Sequence, residues 1–136
     1  MDWEDMVYYM KRISKRKVDC GNPSETSDVA RTAKLIRSTL IQFQESFTVI
    51  EKCSKPVIAA VHGACSGAAL ALLTVTDIRY CAKNAHFQAK EVDNGMTADL
   101  GTLQRLPKII GNDSFAREMI YTAKQICGET AKQVLL

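Results

Sequence analysis

Apolar residues recur in alternating steps of four and three from Val29 through Ala33, Ile36, Leu40, Phe43 and Phe47 to Ile50. That period predicts one long amphipathic helix. A coiled coil shares the repeat, but the flanking positions carry no matched charges, so a helix packed on its own domain is expected. It should begin at a Thr26 or Ser27 cap, with Asp28 in its first turn, and stop near residues 52–55, ahead of Pro56. Met6, Tyr9, Met10 and Ile13 predict a shorter amphipathic helix over residues 3–13.

Beyond Pro56 the pattern changes. Pro56 to Val61 is a continuous apolar run with β-branched residues, as in a strand buried on both faces. Gly63 and Gly67 bracket a turn, and AALALLTV follows as a buried helix. Residues 77–81 and 86–90 read as two short strands. Residues 91–106 are irregular, with a helical turn around Asp99 to Leu106 halted by Pro107. A helix capped by Asn112 or Asp113 and a last segment opening at Gly128 complete the chain. Strands alternating with helices give an α/β class. No internal repeat, low-complexity segment or interdomain linker interrupts it.

Composition narrows the function classes. The 136 residues are 46% hydrophobic and 24% charged, which suits a globular domain with a modest core. A net charge of +3 does not by itself indicate nucleic acid. The basic run Lys11, Arg12, Lys15, Arg16 and Lys17 reads as a solvated helix end, with contact to a phosphate of RNA or coenzyme A as the minority reading. No apolar run reaches the roughly 20 residues of a membrane span. The first residues show neither a secretory nor an Arg-rich transit pattern. Five cysteines (Cys20, Cys53, Cys65, Cys81 and Cys127) at irregular spacings predict mostly buried free thiols in a reducing compartment. Neither His62 nor His86 stands at a partner spacing that would make Cys65 a nucleophile, and His62 reads as a core histidine. No zinc-ligand spacing is present, and no metal is expected.

The chemistry concentrates in residues 55–107, KPVIAAVHGACSGAALALLTVTDIRYCAKNAHFQAKEVDNGMTADLGTLQRLP. A strand enters a small-residue turn and a helix, and two acids, Glu91 and Asp99, follow eight residues apart in a Gly-containing segment. This run resembles the enoyl-CoA hydratase/isomerase (crotonase) family, and its ending KEVDNGMTADLGTLQRLP is most similar to the dienoyl-CoA isomerase branch. The resemblance implies a crotonase-like spiral of β-β-α units. It implies a partial core domain over residues 1–136, with the family's N-terminal strands and C-terminal oligomerisation helices lying outside the chain.

The resemblance also implies roles. The Ala68 amide, beside Gly67, matches an oxyanion-hole donor that stabilises an acyl-CoA enolate. Glu91 and Asp99 match two acids that carry a proton between distant carbons of a conjugated diene, in a pocket apolar enough to bring one of them towards neutral pH. Asp99 is to remove the proton near the carbonyl and Glu91 to supply one at the far end. A third family acid position is Ala71 here. Asp77 is expected to be structural, holding a neighbouring backbone or Arg79.

The expected activity is shift of a 3,5-dienoyl-CoA to a 2,4-dienoyl-CoA in fatty acid β-oxidation. The chain would act as a homo-oligomer, trimer or hexamer, in the mitochondrial matrix or peroxisome. No cofactor is expected beyond the coenzyme A of the substrate. Two other readings stand beside it: a catalytically impaired pseudoenzyme subunit, favoured by Ala71 and the Ala68–Ala69 turn, and an enoyl-CoA hydratase.

Overall fold

The computed structural model describes residues 29–136. The helix expected over 3–13, the basic run, Cys20, and the caps at Thr26 to Asp28 lie outside the described residues. The chain forms two compact units, Met1–Ser46 and Phe47–Leu136. Helix α1 (Val29–Glu51) spans the long apolar period, as expected. Its stripe is less covered than a packed helix requires: Val29 is 82% and Ile36 52% exposed, and Phe47 is its buried member.

The second unit holds the sheets. In order come β1 (Ile58–Val61), β2 (Ala64–Ser66), α2 (Ala68–Leu73), β3 (Ile78–Cys81) and β4 (His86–Gln88). A single 3-10 turn at Glu91–Asn94 follows, then α3 (Thr102–Ile110), α4 (Asp113–Thr122), β5 (Ile126–Cys127) and α5 (Gly128–Val134). Strand β1 pairs parallel with β3, Ile58 opposite Ile78, and β2 pairs parallel with β4, Ala64 opposite His86. β1 and β2 therefore each meet the strand two places on, and α2 supplies the crossover that parallel pairing demands. That is one turn of a β-β-α spiral. β5 closes antiparallel on β4, Phe87 facing Ile126.

The core lies between β4, α2 and the three later helices. Phe87, Leu70, Leu106, Met119 and Leu135 are almost wholly buried there. A smaller cluster joins Phe47, Ala71 and Val75. Asp77 is structural: its Oδ2 accepts the Val57 N–H at 2.7 Å. Arg79 is held elsewhere, donating to the carbonyls of Thr76 and Leu135.

Several expectations are corrected. β1 is not buried on both faces: Ile58 is 61% exposed and alternates with half-buried Ala59. Its sheet has two strands among the described residues, and nothing described covers the Ile58 and Tyr80 face. β2 lies where a turn was expected, because pairing with β4 makes a strand of three residues that have no strand pattern alone. β5 arises the same way.

Pro107 does not halt a helix either. α3 starts at Thr102 and runs through Pro107 to Ile110. The proline removes the donor for Leu103 alone, a surface residue whose carbonyl water can serve. Gly111, at φ 67°, ends the helix instead. The cap at Asn112 is as expected, its side chain accepting the Phe115 N–H at 3.1 Å. His62 is exposed rather than a core residue. The four described cysteines are free thiols, yet Cys53 and Cys127 are exposed and Cys81 is half-buried.

Candidate active site

Residue 67 sits where β2 hands over to α2. Its φ of 56° and ψ of −120° are open to glycine and strained for any residue with a Cβ. The Gly67 N–H donates to the Gln88 carbonyl at 3.1 Å, and its own carbonyl accepts the Ala71 N–H at 3.0 Å. Ala68 is the first residue of α2, and the N–H groups of a first turn have no acceptor within their helix. Ala68 and Ala69 are both exposed.

Glu91 opens the 3-10 turn three residues after β4. The turn is held by Met96 N–H donating to the Glu91 carbonyl at 3.0 Å and is capped by Gly95 at φ 66°. This brings the Glu91 carboxylate over Gly67. Oε1 lies 3.7 Å from the point where a Cβ on residue 67 would stand. Oε2 is buried without a hydrogen-bond partner. Gly67 and Glu91, twenty-four residues apart in sequence, are thus packed together, with the Ala68 amide next in chain. A carboxylate oxygen without a partner beside an accessible amide turn can exchange protons with a ligand.

Asp99 lies in the turn that precedes α3 and is exposed. Ala71 is fully buried, and it packs with Phe47 and Val75 in the smaller apolar cluster. Cys65, one residue before Ser66 in β2, is buried, and burial pushes its thiol up to about 11. It is therefore protonated near neutral pH and unsuited to nucleophilic attack.

Three further residues carried no signal in the sequence. Gln88 accepts from Gly67 and also donates its side-chain amide to the Ala123 carbonyl at 2.9 Å. Ala123 is itself left-handed, at φ 49°. Thr102, at the start of α3, is fully buried, and its hydroxyl has no partner. A glutamine, an alanine and a threonine in mixed segments look ordinary until their partners are known.

A cavity of about 680 Å³ lies elsewhere, between β3 and α5, lined among others by Arg79, Cys81, Lys83 and Lys132. None of the site residues lines it. Among the described residues, no group of three or more His, Cys, Asp or Glu is placed to hold a metal ion. No helix among them is long and apolar enough to cross a membrane.

Comparison with known proteins bears on this arrangement. Residues 27–136 match the family described as Enoyl-CoA hydratase/isomerase. The chain is 56% identical over 104 residues to the mitochondrial Delta(3,5)-Delta(2,4)-dienoyl-CoA isomerase of Pongo abelii, covering 76% of this chain and 32% of that protein. It is 47% identical over 111 residues to the peroxisomal Delta(3,5)-Delta(2,4)-dienoyl-CoA isomerase of Arabidopsis thaliana, covering 82% of this chain and 40% of that one. The chain therefore spans 32–40% of the length of these curated relatives. Its fold matches the crystal structure of a Thermobifida fusca YX protein assigned as an enoyl-CoA hydratase, solved in complex with acetoacetyl-CoA. The TM-score is 0.71 at 28% identity, over 98% of this chain and 48% of that one. The match along residues 27–136 and the shared fold make this chain a member of the enoyl-CoA hydratase/isomerase family.

Proposed function

We propose that this chain belongs to a dienoyl-CoA isomerase that converts a 3,5-dienoyl-CoA to the 2,4-dienoyl-CoA. The observation that carries the reading is the Glu91 carboxylate resting on Gly67, with Oε2 buried and unpartnered beside the accessible Ala68 turn. The relatives named for this isomerisation supply the substrate class.

In the proposed reaction the thioester oxygen accepts the Ala68 N–H, which stabilises the negative charge of the dienolate. Asp99 takes a proton from C2, and the electron pair spreads along the chain as new double bonds form at C2–C3 and C4–C5. Glu91 delivers a proton to C6. One C–H bond breaks and one forms, so no water and no redox equivalent is consumed. The reaction as proposed draws on no cofactor beyond the coenzyme A carried by the substrate. The proposed setting is the mitochondrial matrix or peroxisome, as for the named relatives, and the proposed assembly is a homo-oligomer. The chain itself is proposed to be a partial core domain of the longer family fold.

The alternative, an inactive subunit, draws support from Ala71, where the isomerase branch has an acid. In this structure position 71 packs among Phe47 and Val75, one helical turn after Gly67, whose carbonyl accepts its N–H at 3.0 Å.

The test follows ultraviolet absorbance as a 3,5-dienoyl-CoA comes into conjugation with its thioester. Turnover by the chain, abolished in Glu91→Gln, Asp99→Asn, supports the isomerase. No turnover from folded protein moves the chain to the inactive reading. Solvent deuterium entering at C2 separates the two roles. It should persist in Glu91→Gln and vanish in Asp99→Asn, and the reverse pattern exchanges them.

A further inference from the structure

Gly67 has no side chain with which to lock the turn that carries the Ala68 amide, yet a catalytic amide must be held within about half an ångström of its working position. The restraint has to come from a neighbour. Gln88, the last residue of β4, stands opposite Ser66 in the parallel register and accepts the Gly67 N–H on its carbonyl. Its side chain reaches the other way, where Nε2 donates to the carbonyl of Ala123 at 2.9 Å. Ala123 caps α4 and is the one non-glycine residue at positive φ among the described residues. It is nearly buried, and three residues later the chain enters β5 against Phe87. One residue therefore spans from the turn beneath Glu91 to the end of α4, and Glu91 itself follows it by three positions.

We propose that Gln88 is a positioning residue for the site. Its side-chain bond to Ala123 fixes the end of β4, and the end of β4 fixes the Gly67–Ala68 turn. The catalytic half of this statement rests on the isomerase reading; the positional half does not. Gln88 touches no reacting atom, so its removal should change how well the Ala68 amide is aimed rather than whether substrate enters.

Two variants test it. Gln88→Met keeps the length and loses the donor. Gln88→Glu donates to the Ala123 carbonyl only while its carboxyl is protonated. Backbone hydrogen exchange by NMR, expressed as protection relative to intrinsic rates, is read at Gly67 and at Met119 in the core of α4. In Gln88→Met, Gly67 protection should fall about fivefold, the factor for losing one net hydrogen bond, while Met119 stays within about twofold. In Gln88→Glu, Gly67 protection should fall as pH rises through the carboxyl's titration, against a flat profile in the parent chain. With a bound 2,4-dienoyl-CoA, Gln88→Met should shrink the red shift of the ultraviolet band and lower kcat more than it changes KM.

Unchanged Gly67 protection in both variants overturns the proposal, as does a loss that Met119 shares in full. Absence of any red shift or turnover in the parent chain would instead sink the isomerase reading, and the exchange data would still decide whether Gln88 positions the turn.

Discussion

Arg105 grips Glu51 through two hydrogen bonds, Nε to Oε1 at 3.1 Å and Nη2 to Oε2 at 2.6 Å, joining the end of α1 to α3. Paired forks of this kind are the stronger form of ion pair. The guanidinium bond holds the Glu51 carboxyl below its usual 4.5. A depressed folded value means the unfolded chain binds the proton more readily. The contribution is therefore complete above about 4.5 and is lost as pH falls through the lower folded value. Because the Glu51 side chain is 47% exposed, the pair is worth only about 0.5–1 kcal/mol. Urea melts of Glu51→Gln should show that loss at neutral pH and converge with the parent in acid. An equal gap at both pH values would contradict the pairing.

Gly101 lies under the same guanidinium. A Cβ there would stand 1.9 Å from Arg105 Nη1, and the backbone is at φ 94°. Gly111 is also left-handed, at φ 67°, but has open space around it. Gly111→Ala should cost about 1–2 kcal/mol, the price of the backbone conformation alone. Gly101→Ala should cost more, since the arginine must move and release Glu51. Thermal melts compare the pair, and equal losses would show that the arginine yields freely.

Among the described residues, two buried side-chain oxygens lack partners, Glu91 Oε2 and Thr102 Oγ1. Leaving such a group buried costs about 1–3 kcal/mol. Thr102→Val, which keeps the shape and drops the hydroxyl, should stabilise the fold by about 1 kcal/mol. Glu91→Gln should leave stability unchanged or raise it while turnover disappears, as for a residue retained for chemistry rather than folding. Calorimetry beside the absorbance assay reads both. A Glu91→Gln variant that melts well below the parent would mark Glu91 as structural.

The thiols should react in an order set by their surroundings. Cys127 is exposed, and the Thr130 side-chain bond followed by the Thr130 and Glu129 amides lowers its pKa. Cys65 is buried and raised to about 11. Between pH 7 and 8 a thiol reagent should label Cys127 in the folded chain and reach Cys65 only when denaturant opens it. Mass spectrometry of the peptides reports the order. Early labelling of Cys65 would show that β2 opens without unfolding.

The sequence by itself determined the features that depend on near neighbours. The four-and-three period of Val29 to Ile50 needs only its own spacing to specify α1, and Asn112 needs only Phe115 to cap α4. The contiguous run from Lys55 to Pro107 carried the family, and with it the spiral and the nomination of Gly67, Ala68, Glu91 and Asp99.

Tertiary structure decided what depends on distant partners. Ala64–Ser66 and Ile126–Cys127 are strands only because β4 lies beside them. Ile58 is exposed because a strand's apolar pattern states what it can bury, not whether anything covers it. Pro107 stays within a helix because it removes the donor for Leu103 alone, and Leu103 is exposed. Gln88, Ala123 and Thr102 acquired meaning only from partners or surroundings that no local spacing encodes. Local propensity acts over a few residues, whereas strand register sets which side chains meet across the fold. That is why Gly67 and Glu91 could be nominated through family resemblance, while their contact, and the Gln88 carbonyl that accepts the Gly67 N–H, were legible only in three dimensions.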